Sequence, residues 1–217
     1  MTSIERVLKA LSHEKPDRVP MFLLLSMQGA KYKNMSFEEY YNDPKAIADA
    51  QIHFHEKYGN DVLYSFHYAS IETQAFGGNV VFREDGPTNA GKPLIENFSD
   101  IDLLTVPNVE ENEHLKRVYK TISLMNEKKG GEVLIAGVVM SPYSLPVMQL
   151  GMENYMRLKV YEPERFKKLM KINTQFCIRY ANEMVKNGAN AIVYFDPISS
   201  PTMSTKKEFL DFGLPIM

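Results

Sequence analysis

Apolar positions in this chain fall into two kinds of block. Some recur every three or four residues, and others form short runs that are apolar throughout. The first kind predicts amphipathic helices and the second predicts strands covered on both faces. Thr2 and Glu5 have capping-box spacing, which predicts a helix over residues 3–11, and Ser36 with Glu39 repeats the signal before a short helix. Asp43 followed by Pro44, with Gly59 as the stop, predicts a helix between them. Leu115, Val118, Tyr119, Ile122 and Met125 mark another, ended by Gly130 and Gly131. Pro163 opens the longest helix, whose stripe of Phe166, Leu169, Met170, Asn173, Phe176, Cys177, Tyr180, Ala181 and Met184 faces a core. A last helix is expected over residues 205–212.

Between these helices lie the strand signals, at residues 21–25, 61–66, 79–82, 132–140 and 191–195. Residues 26–34 read as polar and irregular, and residues 86–93 as a turn-rich hairpin or lid. Helices alternating with short buried strands predict an α/β fold, a parallel sheet built from βα units. The polar clusters all follow strands: Gln28, then His67 and Tyr68, then Ser141, then Asp196 with Ser199 and Ser200. That is the rule of the (β/α)8 TIM barrel, whose sites are built on loops at the C-terminal strand ends. A barrel has eight such units in about 250 residues. The pattern supplies four or five main strands, so the expectation is an incomplete barrel, residues 1–217 forming one domain.

Composition narrows the classes. The chain has 217 residues, 44% hydrophobic and 24% charged, with a net charge of −2. This gives no basic footprint for nucleic acid and no polybasic membrane patch. No apolar run approaches the ~20 residues of a membrane span. The N-terminus reads without a signal peptide, so a cytoplasmic location is expected. The single cysteine, Cys177, excludes an internal disulfide framework and a CxxC metal site. On a core-facing stripe it reads as a buried structural thiol.

Each candidate site residue has two readings. Asp196 is a pocket carboxylate at a strand end or an Asp-Pro turn former. Ser199 and Ser200 bind a ligand or cap the helix that follows. His67 is a proton donor or metal ligand, or a satisfied structural histidine. Met27, Met140 and Met148 shape an apolar pocket or fill core gaps. His53 and His55, two apart on one helix, point to different faces and cannot chelate together.

With these residues in view, the chain resembles the uroporphyrinogen decarboxylase superfamily, over essentially its whole length but only about two thirds of a usual member. Four segments carry the resemblance: LysProAspArgValPro at 15–20, GlnAlaPheGlyGly at 74–78, the strand ending near Ser141-Pro142, and GlyAlaAsnAlaIle at 188–192 followed by AspProIleSerSerPro at 196–201. The resemblance implies a barrel with a tetrapyrrole or corrinoid at its strand ends, and places Gln28, Lys31 and Tyr32 where the family binds substrate carboxylates. True decarboxylases hold those carboxylates with arginine forks. Here Met27 and Lys31 stand at the two arginine positions, Tyr68 at that of the family's aspartate, and Met148 near that of its tyrosine.

The AspPro…SerPro form is more similar to the methylcobalamin:thiol methyltransferases. That likeness implies methyl transfer between a corrinoid on a partner protein and a thiol, with zinc held by cysteine and histidine ligands in the C-terminal third. For this chain alone the expectation is no bound cofactor and no metal. The alternatives are uroporphyrinogen decarboxylation, or a non-catalytic binding remnant. An open half-barrel ending at residue 217 would expose strand edges and form a homodimer or aggregate.

Overall fold

The computed structural model describes residues 1–84 and 86–216. Ten α-helices are assigned among them: α1 (Ser3–Leu11), α2 (Gln28–Lys33), α3 (Phe37–Asn42), α4 (Pro44–Tyr58), α5 (Ile71–Ala75), α6 (Glu113–Lys129), α7 (Leu145–Leu150), α8 (Met152–Tyr161), α9 (Pro163–Lys186) and α10 (Lys206–Glu208). The strands are β1 (Val62–Tyr64), β2 (Val80–Val81), β3 (Asn89–Ala90), β4 (Leu134–Met140) and β5 (Ala191–Phe195). Local chemistry fixes the helix starts. Thr2 with Glu5, and Ser36 with Glu39, each form both bonds of a capping box. The Asp43 carboxylate accepts from the amides of Lys45 and Ala46, and left-handed Gly59 ends α4.

Three strands form one parallel sheet in the order β1-β4-β5, with Val62 opposite Leu134 and Ala136 opposite Ala191. Alternate residues serve two cores. Leu63, Ile135 and Val139 join the side chains of α4, α6 and α9, whereas Val62, Tyr64, Leu134 and Ala136 meet Val7 of α1 on the other face. The α9 stripe is buried as its spacing predicts, with Ala181 only partly so. Its fully buried aromatic and aliphatic side chains contribute about 1.5–3 kcal/mol each. A separate core under α8 and α9 gathers Tyr143, Tyr155 and Phe166.

Below the sheet, Asp61 anchors the N-terminal segment. Its buried carboxylate accepts from Ser3 Oγ, Arg6 Nη1, both terminal nitrogens of Arg18 and the amide of Met21, at 2.6 to 3.0 Å. These charge-assisted bonds hold its carboxyl below the usual carboxylate range despite burial.

Several expectations are corrected. The parallel sheet has three strands rather than four or five. Residues 21–25 keep the alternation of a strand, with Phe22 and Leu24 exposed, but form no ladder beyond the bond from the Asp61 amide to the Met21 carbonyl. The Leu25 amide turns back to the Leu23 carbonyl and bends the segment away. Residues 26–34 are not irregular: they contain α2, which has no side-chain cap to announce it and ends at left-handed Asn34. Residues 79–82 do not join the sheet. They form the antiparallel β2–β3 ribbon, which places the expected hairpin over residues 80–90. The strand expected over 61–66 is trimmed to three residues. β5 is not covered on both faces, since Tyr194 and Phe195 are exposed. The last helix forms where it is expected, with its second half, Phe209–Gly213, widened into a π-helix after α10.

The contact between α2 and α3 gives one prediction. A Cβ at Gly29 would overlap the ring of Tyr40, which is fully buried and has no room to move. Gly29→Ala is expected to cost about 1–3 kcal/mol by overpacking. A urea-unfolding midpoint equal to that of the parent chain would contradict it.

Candidate functional site

The C-terminal ends of β4 and β5 are tied together by one carboxylate. Asp196 Oδ1 accepts from Ser141 Oγ at 2.7 Å and Ser144 Oγ at 2.6 Å, and its Oδ2 accepts from Ser199 Oγ. The serines are held in turn by backbone. Ser141 Oγ accepts from the Ser144 amide, Ser144 Oγ accepts from the Ile198 amide, and the Ser141 amide donates to the Phe195 carbonyl. The half-buried carboxylate therefore sits among three hydroxyl donors on two βα turns. A carboxylate so engaged orients the groups that donate to it. Ser200 belongs to the next turn. Its carbonyl accepts from the amides of Met203 and Ser204 and its hydroxyl meets Thr202. The helix that follows is capped by Thr205, not by Ser199 or Ser200.

The β1 end differs. His67 is buried, and its Nδ1 lies 2.9 Å from the Ser65 carbonyl, so that nitrogen carries the proton. Nε2 is buried with no hydrogen-bond partner among the described residues. Burial pushes the His67 pKa down to about 4. The ring is neutral at neutral pH and is no source of imidazolium. Tyr68 is buried too, its hydroxyl donating to Gln74 Oε1 at 2.6 Å and its ring set edge-on to Tyr41 and Phe82. Burial raises its pKa to about 12, so the phenol stays protonated.

The three α2 candidates diverge. Gln28 lines a hollow of about 210 Å³ with Leu23, Leu25, Phe54 and Tyr58. Lys31 lines a separate cleft of about 460 Å³, walled by Phe37 and Phe82 and sharing Glu38, Arg83 and Glu84. Tyr32 stacks on His53 with ring centroids 4.0 Å apart. His55 Nδ1 meets the Asn60 carbonyl.

Two residues of this region escape a reading of the sequence. Ser144 completes the Asp196 clasp, and its spacing three after Ser141 was the available signal. Glu72 of α5 is buried, and its Oε1 accepts from the Met140 amide at 3.1 Å. The Met140 carbonyl receives the Cys177 thiol at 3.3 Å. Burial raises the Glu72 pKa to about 7 and pushes the Cys177 thiol well up, with Glu72 adding to the latter. Cys177 is thus the buried structural thiol that its stripe predicts. Among the described residues no cluster of three or more His, Cys, Asp or Glu could hold a metal ion. No described helix is long and apolar enough to cross a membrane.

Comparison with known proteins places this geometry. The methylcobamide:CoM methyltransferase MtaA of Methanosarcina barkeri is 24% identical over 213 residues, covering 95% of this chain and 62% of its own length. The uroporphyrinogen decarboxylase of Schizosaccharomyces pombe is 25% identical over 228 residues, covering 97% of this chain and 62% of its own length. The chain thus spans about 62% of the length of these relatives. A solved structure described as a methyltransferase from Methanosarcina mazei superposes with a TM-score of 0.88 at 21% identity, over 100% of this chain and 65% of that one. The shared fold is part of an α/β barrel, with parallel strands and the helices between them. The uroporphyrinogen decarboxylase (URO-D) family model matches residues 2–217, and the chain belongs to that family.

Proposed function

We propose that this chain forms part of a (β/α)8-barrel methyltransferase that moves a methyl group between a corrinoid on a partner protein and a thiol or related acceptor. The carrying observation is the Asp196 clasp: a half-buried carboxylate at the strand ends, held from behind by the buried hydroxyls of Ser141 and Ser144 and from its own turn by Ser199. A carboxylate at that position suits a corrin ring, whose edge carries neutral amides, better than a porphyrinogen bearing many carboxylates, because like charges set side by side are costly. Guanidinium forks would suit the latter, but Arg6 and Arg18 are committed to Asp61, Arg165 to Asp102 and Arg179 to Glu110, and Arg83 lies with Glu38 and Glu84 in the Lys31 cleft rather than at the clasp. The methylcobamide:CoM methyltransferases among the relatives support the same reading.

In this reading Asp196, Ser199 and Ser200 line the site, and buried Ser141 holds Asp196 from behind. Met140 is buried beneath it, whereas the α2 residues Gln28 and Lys31 face two other hollows and Tyr32 stacks on His53. Neutral His67 and Tyr68 support it from within the core. A methylated corrinoid held on a partner would supply an electrophilic methyl group to a thiolate here. The residues here do not fit a zinc site that would activate that thiol, since Cys177 is buried and occupied with the Met140 carbonyl. No step is assigned to zinc.

Incubating the protein with methylcobalamin and 2-mercaptoethanesulfonate is expected to give methylated thiol and reduced corrinoid, followed by absorbance under anaerobic conditions. Asp196→Asn weakens the clasp and misplaces both turns, and is expected to lower kcat/KM by up to roughly 100-fold. Decarboxylation of uroporphyrinogen without methyl transfer would reject the proposal in favour of the family's other chemistry.

A further inference from the structure

β4 is longer than its pairing with β1. The two strands are in register from Val62 opposite Leu134 to Tyr64 opposite Ala136, and the Ser65 amide adds a bond to the Ala136 carbonyl. On the other side β4 pairs with β5 as far as Met140 opposite Phe195, and the Ser141 amide reaches the Phe195 carbonyl. In a parallel ladder the amide and carbonyl of one residue point to the same neighbour, and successive residues alternate. Ala136 faces β1 and Ser141 faces β5, so the amide and carbonyl of Met140 face β1. By that point β1 has left the ladder. Its Ser65 carbonyl is taken by the ring of His67.

Two side chains fill the vacated rung. Glu72 accepts the Met140 amide from α5, and the Cys177 thiol of α9 donates to the Met140 carbonyl. Both are buried, where an amide or carbonyl left without a partner is costly. We infer that Glu72 is a positioning residue: it replaces β1 as the acceptor for the last amide of β4, and so fixes the Met140–Ser141 corner on which the Asp196 clasp is built.

The charged and titratable groups around it are Cys177 and Tyr180 on α9 and Tyr68 on its own connection, with Arg117 of α6 acting on Tyr68 and His67. Burial raises the carboxyl's pKa, and none of the first three is a cation that would offset it. That the corner serves a site rests on the proposed methyl transfer. The geometry of the corner does not, and the test is chosen to separate them.

Amide hydrogen exchange at Met140 and Ser141, compared with Leu134–Ala136 in the same strand, reads the corner directly in the intact protein. In Glu72→Ala, exchange at Met140 is expected to speed up roughly tenfold or more relative to Leu134–Ala136, as for loss of one buried hydrogen bond. Glu72→Gln keeps an acceptor oxygen and is expected to restore protection. Its infrared spectrum is expected to lack a protonated-carboxyl band that the parent loses with a midpoint near 7. Uniformly faster exchange along all of β4 in Glu72→Ala would overturn the inference, as would Gln failing to restore Met140. Should the Ala variant not fold, a Met140 amide unprotected in the parent chain overturns it equally. Normal protection with inactive protein would instead count against the proposed function alone.

Discussion

Asp61→Ala is expected to be among the most destabilising single substitutions in this chain, by about 3–5 kcal/mol. The carboxylate is fully buried and gathers two guanidinium groups, a serine hydroxyl and the Met21 amide. Arg6 is nearly as buried as its partner. Removing Asp61 leaves it with Asp17, on the exposed side, as its remaining acidic partner. An uncompensated buried charge costs far more than the net contribution of the pair itself. In a chain of this size the loss corresponds to a fall in Tm on the order of 10 °C. The α1 helix, the 15–20 loop and the start of β1 all meet at this residue, so they are expected to loosen together. A calorimetric loss below about 1 kcal/mol would show that the network contributes little beyond its geometry.

The second large effect is a pH dependence in which two buried groups oppose each other. Glu72 has a folded pKa of about 7, against 4.5 when unperturbed. Between those values the folded chain holds a proton that the unfolded chain has released. Its contribution is therefore complete below pH 4.5 and is lost as pH rises through 7, about 3 kcal/mol in all. His67 has the reverse sign. Its pKa is depressed from 6.5 to about 4, so its contribution is present above pH 6.5 and is lost as pH falls towards 4. Between about pH 4.5 and 6.5 the two trends oppose each other, with His114, also held low by burial, adding to the histidine side, so the parent chain is expected to vary less with pH than a variant without Glu72. In Glu72→Gln only the histidine trend remains, so stability is expected to climb across that window. Relative to the parent, the variant gains about 3 kcal/mol between pH 4.5 and pH 8. Urea unfolding at half-unit pH steps measures the difference. Parallel curves for the two proteins would rule it out. The exposed and partly exposed carboxylates held low by lysine or arginine partners act at more acidic pH and leave the window clear.

Both effects arise from residues whose partners are far away in sequence. Asp61 meets residues 3, 6, 18 and 21, and Glu72 meets residue 140. Neither environment has a local signature. Glu72 lies in a short helical turn among Ile71, Thr73 and Ala75, all buried. An acid in such a place looks like an ordinary first-turn glutamate.

What the sequence determined by itself was local or strongly periodic. Thr2 with Glu5, Ser36 with Glu39, and Asp43 with Pro44 start their helices because a side chain and an amide two or three residues away suffice. The α9 stripe, β4 and β5 follow from periodicity summed over many residues. The strand-end rule also put Ser141 after β4, and Asp196 and Ser199 after β5, and the family segments were legible in the same residues. Only the tertiary structure decided what these elements pair with. The apolar runs at 21–25 and 79–82 have strand composition, but a ladder needs a partner edge. One run bends off β1 at Leu25, and the other closes on residues 89–90. Tertiary contacts likewise stacked Tyr32 on His53, sealed His67 and Tyr68 in the core, and joined Asp196 to serines on the neighbouring turn. Propensity and spacing reach one helical turn along the chain. A hydrogen bond between residues 141 and 196 exists only once β4 and β5 lie side by side.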